Sequence, residues 1–421
     1  MHYQFLNDIS SILIGSCFNF YMSVSSASAS RSNSSSPEKY CLGELMKDID
    51  KDSPREYDFD SKDETAYKTL DEHKLSLDSF YSFKSSKNNF LFSQSLENKN
   101  VNNFPIFSLS SILSAFNNQK TTINLQRSLK GMSKDILNGL IKEMKGFFSI
   151  IIKNKNGNYF CSDLFKACDK EQRIEILKEI TNNLSDDCID EFGTHPIQTL
   201  MELAECEDEY KLLLNSFYDY NKVLKATSNQ NGTYVIQKLI VHIPEKFRIN
   251  FNLIFLKLIC ILSMDMYGVC TVIKFIDHTK NEIIEKQLLN LILSNFVNIA
   301  ENQYGNYLIQ NVLRLWWDTD NGKFLKKICM DKFHKLARNH YSSYVCDVFL
   351  KLSNLEDKKL LMSTLINCKT IGLFNKNNCG KIIINKLINE LKKQNIDNNN
   401  IKVIQKDKKK KDDFLIKKAI E

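Results

Sequence analysis

Asn306, Tyr307 and Gln310 stand together in the sequence GNYLIQ at residues 305–310. Residues four apart on a helix lie one turn from each other, so the two amides share a helix face and the tyrosine ring lies at its edge. Two amides can hydrogen-bond the edge of a flat polar ligand while an aromatic ring stacks on its face. An unpaired nucleobase offers such an edge and such a face, so these residues predict base binding.

The same arrangement recurs along the chain. Each copy has a glycine or another small residue, then a first and a second residue, and three positions later a third; we call these three a trio. The predicted base-binding residues are Thr122 and Gln126; Asn158, Tyr159 and Ser162; Thr194, His195 and Gln198; Thr233, Tyr234 and Gln237; Asn306, Tyr307 and Gln310; and Ser343, Tyr344 and Asp347.

Two further copies have lost the residues that could read a base. Val269, Cys270 and Ile273 include no polar group that could bond a base edge. Lys381, Ile382 and Asn385 lack an aromatic ring that could stack on a base face. We expect these two copies to bind their bases loosely or not to read them.

The spacing of the copies indicates a repeat protein. Their third residues fall at 126, 162, 198, 237, 273, 310, 347 and 385, so neighbouring copies are 36 to 39 residues apart. A period of ~20–50 residues is typical of solenoids and propellers. A propeller needs short strands and frequent turns, whereas this chain has few Pro and Gly and has apolar residues at helical spacing, as in EQRIEIL at 171–177. The sequence therefore predicts an all-α solenoid of eight repeats.

Local signals predict how each repeat positions its trio. A copy begins with turn-forming residues, as in NQNG at 229–232, where glycine permits a sharp turn into a new helix. The helix then directs Val235 and Ile236 toward the core and leaves Thr233 and Gln237 on the opposite face. Stacking of the repeats lines the trios up along one surface.

Composition divides the chain into three parts. Residues 1–103 are Ser-rich at 23–37 and acidic between 48 and 63, which predicts a mostly disordered N-terminal region. Residues 104–395 carry the helical pattern and form the predicted repeat domain, and residues 396–421 form a Lys/Asn-rich tail. The net charge of +7 divides into −4 for residues 1–103 and +11 for the remainder, and a basic folded part suits a polyanionic partner.

Other residues with chemical potential lack partners at useful spacing. His195 has no second His, Asp or Cys at metal-ligand spacing, so we expect it to stack or pack. The 12 cysteines include no Cys-x-x-Cys pair, and those in apolar helical patterns, such as Cys161 and Cys346, are predicted to be buried free thiols. Trp316-Trp317 are predicted to pack between repeats. No nucleotide-binding or hydrolase motif is present, so the sequence predicts no enzyme, no cofactor and no metal.

The copies closely resemble repeats of the Pumilio-homology (PUF) family. GNYLIQ at 305–310 and GTYVIQ at 232–237 are similar to the family's RNA-reading helix, and GTHPIQTLMEL and NGNYFCSDLF also resemble its repeats. The resemblance covers about residues 104–395. It implies a right-handed α-solenoid crescent of eight three-helix repeats, with single-stranded RNA along the concave face, antiparallel to the protein chain.

The resemblance also implies a base for several trios. In the family, Asn with Gln reads uracil, Cys or Ser with Gln reads adenine, and Ser with Glu reads guanine. Asn306 with Gln310 matches the uracil set, and Ser343 with Asp347 resembles the guanine set, with an acid one methylene shorter. Three trios resemble the adenine set, with Thr in place of Ser: Thr233 with Gln237, Thr194 with Gln198 and Thr122 with Gln126. Asn158 with Ser162 resembles the uracil set but lacks its Gln.

The functional expectation follows from this resemblance. It implies a monomeric cytoplasmic protein that binds UGUA-like or A/U-rich elements in mRNA 3′ untranslated regions and controls translation or stability by recruiting repressor or deadenylation proteins. A nucleolar PUF-like ribosome-biogenesis factor is one alternative, and a protein-binding α-solenoid scaffold is another. The apolar run at 9–22 has no basic residue before it and is shorter than the ~20 residues of a membrane span, so we expect no membrane association.

Overall fold

The structure is a computed structural model that describes residues 108–374 and 376–393, and every regular element in this part is a helix. The predictions for residues 1–103 and 396–421 lie outside the described residues. In chain order the helices are α1 (Leu109–Ala115), α2 (Gln119–Leu129), α3 (Lys134–Met144), α4 (Phe148–Ile152), α5 (Gly157–Ala167), α6 (Lys170–Ile180), α7 (Leu184–Asp187), α8 (Thr194–Leu203), α9 (Glu207–Asn215), α10 (Tyr220–Thr227), α11 (Gly232–His242), α12 (Ile249–Leu262), α13 (Gly268–Asp277), α14 (Glu282–Ser294), α15 (Phe296–Glu301), α16 (Gly305–Trp316), α17 (Asp320–Leu336), α18 (His340–Leu352), α19 (Leu355–Asn367), α20 (Ile371–Phe374) and α21 (Asn378–Lys393).

One helix of each repeat belongs to a continuous inner layer, in which each helix packs against the next: α2, α5, α8, α11, α13, α16, α18 and α21. Every trio lies on one of these helices, so we number repeats 1 to 8 after them. A second, outer layer consists of α3, α6, α9, α12, α14, α17 and α19. Most pairs of neighbouring outer helices contact each other less extensively than neighbouring inner helices do. The outer side therefore splays, and the inner layer forms the concave side.

The repeats differ in how the chain enters the inner helix. A short separate helix precedes it in repeats 1–4, 6 and 8, but not in repeats 5 and 7. There the outer helices α12 and α17 are followed directly by the turn that leads into the inner helix. Repeats 5 and 7 thus have two helices each where the resemblance implied three, and the described part of repeat 8 ends at Lys393 of its inner helix.

The same type of polar cap recurs at the start of most inner helices. Asn302 Oδ1 accepts hydrogen bonds from the backbone N–H groups of Tyr304 and Gly305, at 2.8 and 3.0 Å. Side-chain acceptors satisfy N–H groups that have no partner at a helix start. Equivalent bonds are made by Asn154, Asp190, Asn229, Asp265 and Asn339.

The glycine of each copy is required by a close approach and not by an unusual backbone angle. Among the described glycines, only Gly131 and Gly146 have positive φ, and neither belongs to a trio copy. A Cβ on Gly305 would lie 2.4 Å from the carbonyl oxygen of Ile299, six residues earlier, which is far inside van der Waals contact. The expectation that glycine supplies a sharp turn is therefore corrected: it lets two backbone segments touch.

Two repeats without this glycine preserve the contact by other chemistry. In repeat 7 the position is Ser342, whose Oγ donates to the carbonyl of Leu336 at 2.6 Å. In repeat 1 it is Thr121, whose Oγ1 donates to the carbonyl of Ala115 at 2.6 Å. Both acceptors lie six residues earlier, as Ile299 does relative to Gly305. A hydroxyl can thus replace the backbone contact with a hydrogen bond to the same carbonyl.

The core runs unbroken through all repeats and contains the cysteines predicted to be inert. Cys161 and Cys346 are buried free thiols, and burial raises the pKa of the nearby Cys168 thiol to about 12. Trp317 is buried, and its ring packs edge-on against Phe349 of the next repeat with ring centroids 5.6 Å apart. Trp317 thus packs between repeats as predicted, and Trp316 beside it is buried.

Candidate nucleic-acid interface

The second trio residue is exposed in seven of the eight repeats. Tyr307 is 37% exposed and Tyr159 is 61% exposed, although the residues directly before and after each tyrosine are buried. The exposed second residues are Ile123, Tyr159, His195, Tyr234, Tyr307, Tyr344 and Ile382. Because the inner helices lie side by side, these side chains form one row along the concave side, which we call the inner row.

The first trio residue lies deeper than the sequence predicted. Thr122, Asn158, Thr194, Thr233 and Asn306 are each at most 3% exposed. Thr233 shows why, since its Oγ1 lies 2.8 Å from Thr271 Oγ1 of the next inner helix. The expectation that Thr233 lies on the open face beside Gln237 is therefore wrong, because direct packing of inner helices places it in the seam between them.

In three repeats the third trio residue is bonded back to the first. Gln310 Nε2 donates to Asn306 Oδ1 at 2.9 Å, and Gln198 Nε2 donates to Thr194 Oγ1 at 3.0 Å. Gln237 Nε2 makes the equivalent, longer bond to Thr233 at 3.4 Å. In each case the amide nitrogen faces the first residue. The buried first residue thus orients the polar group that stands nearer the open face.

Repeat 2 has the most exposed of the trio tyrosines and few free polar atoms beside it. Asn158 Nδ2 donates to the carbonyls of Asn154 and Lys155, and its Oδ1 is buried without a hydrogen-bond partner. Ser162 Oγ donates to the Asn158 carbonyl at 3.1 Å within the same helix. Tyr159 is therefore the main group that this repeat offers to a ligand.

In repeat 7 the acidic third residue is held by two lysines. Lys386 from α21 contacts Asp347 Oδ1, and Lys351 lies 2.9 Å from Oδ2. Burial acts to raise the pKa of Asp347, but the hydrogen bonds to both lysines outweigh it and hold the pKa below its usual value. Ser343 is partly exposed and donates to the His340 carbonyl. Asp347 is thus an ionised acceptor on the inner face.

The two eroded repeats differ from each other. In repeat 5, Val269, Cys270 and Ile273 are all 0% exposed, so this repeat presents none of its trio side chains. In repeat 8, Lys381 and Ile382 are exposed, and the third residue, Asn385, is exposed as well. Repeat 5 interrupts the inner row, whereas repeat 8 continues it with an aliphatic side chain.

In repeat 1 the third trio residue bonds to the neighbouring repeat, which the sequence did not predict. Thr122 is buried and donates to the Ala115 carbonyl at 3.0 Å. Gln126 Nε2 donates instead to Asp163 Oδ2 of repeat 2, at 2.7 Å. Asp163 directly follows the third trio residue of its own repeat, and Lys386 does so in repeat 8. These two residues carry no signal of their own in the sequence, but the repeat period places both at the same position.

No metal site accompanies the interface in the described ranges. His195 is exposed on α8, and nowhere in residues 108–374 and 376–393 do three His, Cys, Asp or Glu side chains group so as to hold a metal ion. Within the same residues, none of the helices combines the length and the apolar character needed to span a membrane.

Comparison with known proteins gives the family of these repeats. The model of the Pumilio-family RNA binding repeat matches residues 150–181, 227–250, 259–293 and 295–315, which contain the trios of repeats 2, 4, 5 and 6. A Pumilio domain-containing protein of Schizosaccharomyces pombe is 25% identical over 264 residues, 62% of this chain and 38% of that protein. Pumilio homolog 12 of Arabidopsis thaliana is 24% identical over 249 residues, 58% of this chain and 41% of that protein. The chain thus covers about two fifths of these relatives.

Solved structures share the fold. The Puf4 RNA-binding domain, bound to the HO endonuclease RNA 3′ UTR recognition sequence, has a TM-score of 0.61 over 73% of this chain and 90% of its own, with 18% identity. The yeast Puf5p RNA-binding domain, bound to AAT2 RNA, has a TM-score of 0.57 over 66% of this chain and 82% of its own, with 21% identity. These likenesses confirm the predicted α-solenoid of PUF repeats.

The family assignment rests on agreement between sequence and fold. The matched segments carry trios in phase with those of the unmatched repeats, and all eight trios occupy one continuous helix layer. The matching family is one of RNA-binding repeats and not of enzymes, as the sequence predicted. The four matched segments are thus Pumilio-family repeats, and the chain as a whole is similar to Pumilio-family proteins in sequence and in fold.

Proposed function

We propose that this chain binds single-stranded RNA along its inner face and reads the base sequence through the open trios. The observation that carries the proposal is the inner row, in which flat or aliphatic side chains stand exposed at one-repeat intervals beside polar third residues. Regularly spaced exposed aromatic groups on an otherwise well-packed surface mark an interaction site. Base stacking on an aromatic ring contributes ~1–3 kcal/mol per base.

The spacing of the inner helices suits one base per repeat. Packed helices lie ~8–10 Å apart, so rings on neighbouring inner helices are separated by roughly this distance. Two stacking contacts of ~3.5 Å each leave room for one base plane between two such rings. Tyr307 and Tyr344 are two such rings on neighbouring inner helices. Burial, together with the nearby Tyr344, raises the pKa of Tyr307. A duplex would not fit, because its bases are already stacked and paired.

The trios then assign bases by the family's pairing rules. Asn306 and Gln310 form a bonded amide pair that suits uracil, which offers both a donor and acceptors on its edge. Asp347 is ionised and accepts only, which suits the N–H donors of guanine, while Ser343 stands beside it. Repeats 1, 3 and 4 have Gln third residues with Thr first residues, which we assign to adenine, and repeat 2 to uracil.

The closed repeat 5 makes the site discontinuous. Because Val269, Cys270 and Ile273 are fully buried, the base opposite them has neither a ring to stack on nor a polar group to bond. Read 5′ to 3′ from repeat 8, the proposed element is an unread base, G, U, an unread base, and an A/U-rich stretch. This order is compatible with a UGUA-like element.

We assign the biological role by the same reasoning. The chain would bind such elements in mRNA 3′ untranslated regions, in the cytoplasm and as a monomer, and alter translation or decay by recruiting repressor or deadenylation proteins. The closed repeat 5 favours one second candidate, a nucleolar role in ribosome assembly, because eroded trios read sequence poorly. Cell imaging of the tagged full chain distinguishes cytoplasm from nucleolus.

RNA selection tests the proposal directly. The full chain is incubated with a pool of single-stranded RNAs that have a randomised centre, and the bound RNAs are sequenced. We expect an A/U-rich motif with a G-U step near its 5′ end, with affinity that falls as salt rises because phosphates are contacted. A GC-rich or base-paired motif contradicts the base assignment, and failure to enrich any RNA favours the protein-binding scaffold.

A matched pair of tyrosines separates specific from general effects. Tyr307→Ala removes a ring of the inner row, and we expect roughly 5- to 100-fold weaker binding of the selected RNA. Tyr218 is 39% exposed but lies between α9 and α10, outside every trio. Tyr218→Ala should leave RNA affinity unchanged. Equal losses for both variants would place the RNA elsewhere on the surface.

A further inference from the structure

The acidic third residue of repeat 7 is held at both of its oxygens. Lys386 Nζ, from α21 of repeat 8, contacts Asp347 Oδ1, and Lys351 Nζ, one turn further along α18, lies 2.9 Å from Oδ2. The terminal torsion of an aspartate is otherwise broad, so a free carboxylate turns easily. A donor fixed at each oxygen restricts that rotation and holds the carboxylate plane in one orientation.

Lys386 reaches Asp347 from a position that the repeat period defines. It directly follows the third trio residue of repeat 8. Asp163 has the same position in repeat 2, and it reaches the third trio residue of repeat 1, where Gln126 Nε2 donates to it at 2.7 Å. In both seams, the residue after one trio contacts the third residue of the preceding repeat. The polar edge of a repeat is thus set in part by its neighbour.

The pair of Asp347 and Lys386 is partly buried and still open to a ligand. The Asp347 side chain is 24% exposed and that of Lys386 is 33% exposed, against 56% for Lys351. Opposite charges attract more strongly where solvent screens them less, so Lys386 holds the carboxylate more firmly than Lys351 does. The hydrogen bonds from both lysines outweigh burial and lower the pKa of Asp347, which keeps it an acceptor.

The number of acceptor positions left on this carboxylate suits one base. An ionised carboxylate has about four acceptor positions, shared equally between its oxygens, and each lysine uses one. Each oxygen therefore keeps a free position. Guanine has two neighbouring donors on its base-pairing edge, N1–H and the 2-amino group, which can bond to the two oxygens together. Adenine, cytosine and uracil place an acceptor beside their donor, and that acceptor would face the second oxygen.

We propose that Lys386 is a specificity-determining positioning residue, contributed by repeat 8, that fixes the Asp347 carboxylate so that both of its oxygens accept from one guanine. Without Lys386 the carboxylate can turn and offer a single oxygen to the single donor of any base. Guanine then loses part of its advantage. This inference rests on the proposed RNA-binding function and on the assignment of guanine to repeat 7, to whose trio it adds a residue from the neighbouring repeat.

The test uses the full chain and the RNA selected from the randomised pool. The base opposite repeat 7 is the one whose identity ceases to affect binding in Asp347→Ala. Affinities are measured with guanine, adenine and inosine there, since inosine is the guanine analogue without the 2-amino group. In the unaltered chain we expect guanine to bind roughly 5- to 100-fold more tightly than adenine and roughly 3- to 10-fold more tightly than inosine. Both ratios should fall by roughly 3-fold or more in Lys386→Met.

Two further variants separate positioning from general charge. Lys386→Arg keeps a cationic donor beside Asp347 and should restore both ratios. Lys323→Met is the matched control, because Lys323 is 78% exposed on the outer helix α17, where it pairs with Asp320, and its loss removes the same charge elsewhere. Its ratios should equal those of the unaltered chain, and thermal unfolding of every variant checks that the repeats remain folded.

The outcomes distinguish this inference from the function on which it rests. If Lys386→Met weakens the binding of guanine, adenine and inosine by one common factor, Lys386 only attracts the RNA backbone, and the inference is overturned. The absence of a guanine preference at the position found with Asp347→Ala overturns it as well, although RNA binding persists. Failure of the unaltered chain to bind any RNA overturns the proposed function instead.

Discussion

Repeats 5 and 6 begin their inner helices in the same way but present opposite surfaces. In both, an Asn or Asp caps the turn with two backbone N–H bonds, a glycine touches a carbonyl six residues earlier, and an inner helix follows. Repeat 6 leaves Tyr307 exposed beside a polar pair. Repeat 5 buries all three of its trio residues, with Ile273 at the position that Gln310 occupies in repeat 6.

The difference shows that the solenoid and its reading surface are encoded by separate residues. Asp265 and Gly268 keep repeat 5 in register although its trio has lost every polar group. The inner layer therefore continues through repeat 5 to repeats 6–8 without a break. The inner face can thus lose one reading position without loss of the fold, because the cap and the close backbone contact that begin the inner helix are kept.

The largest expected effect comes from truncation of the buried third residue of repeat 5. Ile273→Ala should lower the free energy of unfolding by ~2–5 kcal/mol, because it leaves a cavity in a fully buried site. Gln310→Ala at the matching position of repeat 6 should lower it by only ~0.5–1.5 kcal/mol, the net contribution of one hydrogen bond. Chemical denaturation measures both. Equal losses would mean that the Gln310 side chain contributes more to stability than one hydrogen bond.

The glycines of the two repeats should rank by how closely they approach a carbonyl. A Cβ on Gly305 would lie 2.4 Å from the Ile299 oxygen, whereas a Cβ on Gly268 would lie 2.9 Å from the Leu262 oxygen. We expect Gly305→Ala to lower the free energy of unfolding by ~1–3 kcal/mol and Gly268→Ala by less. The same denaturation experiment tests the order, and a reversed order would contradict the close-approach explanation.

Removal of single bases from the RNA should distinguish an open repeat from a closed one. An abasic nucleotide opposite repeat 6 should weaken binding of the selected RNA by ~1–3 kcal/mol, since the stack on Tyr307 is lost. The same change opposite repeat 5 should have almost no effect, because no trio side chain is exposed there. Fluorescence anisotropy with a scanned series of abasic RNAs gives both values. An equal loss of affinity at every position of the RNA would contradict an unread base opposite repeat 5.

The smallest effect concerns the caps. Burial raises the pKa of Asp265, the cap of repeat 5, despite its backbone hydrogen bonds, while the repeat 6 cap, Asn302, is uncharged. A carboxyl whose folded-state pKa exceeds its unfolded value stabilises less as pH rises through that range. Asp265→Asn keeps the oxygen that accepts from Gly268, so it should slightly raise stability at neutral pH and lose this advantage at acidic pH. Thermal melting against pH tests this, and a loss of stability at neutral pH contradicts it.

Much of the fold was predictable because the same sequence pattern recurs at a nearly fixed spacing. The spacing of 36 to 39 residues, the helical patterns and the punctuation by Asn, Asp and Gly predicted the solenoid and placed Tyr159, Tyr234, Tyr307 and Tyr344 on one face. Periodicity within one helix also predicted that Val235 and Ile236 are buried. These features depend on residues that are close in sequence, so one helix or one repeat suffices to derive them.

The sequence by itself determined the repeat period, the similarity to Pumilio repeats and the identity of the side chain at each second trio position. Only the tertiary structure decided which polar atoms face a ligand. Thr233 is buried because α13 packs on it, Gln126 is turned by Asp163 of the next repeat, and Asp347 is held by Lys386. These contacts join residues about one repeat apart, and such pairings depend on how two helices pack rather than on either helix alone.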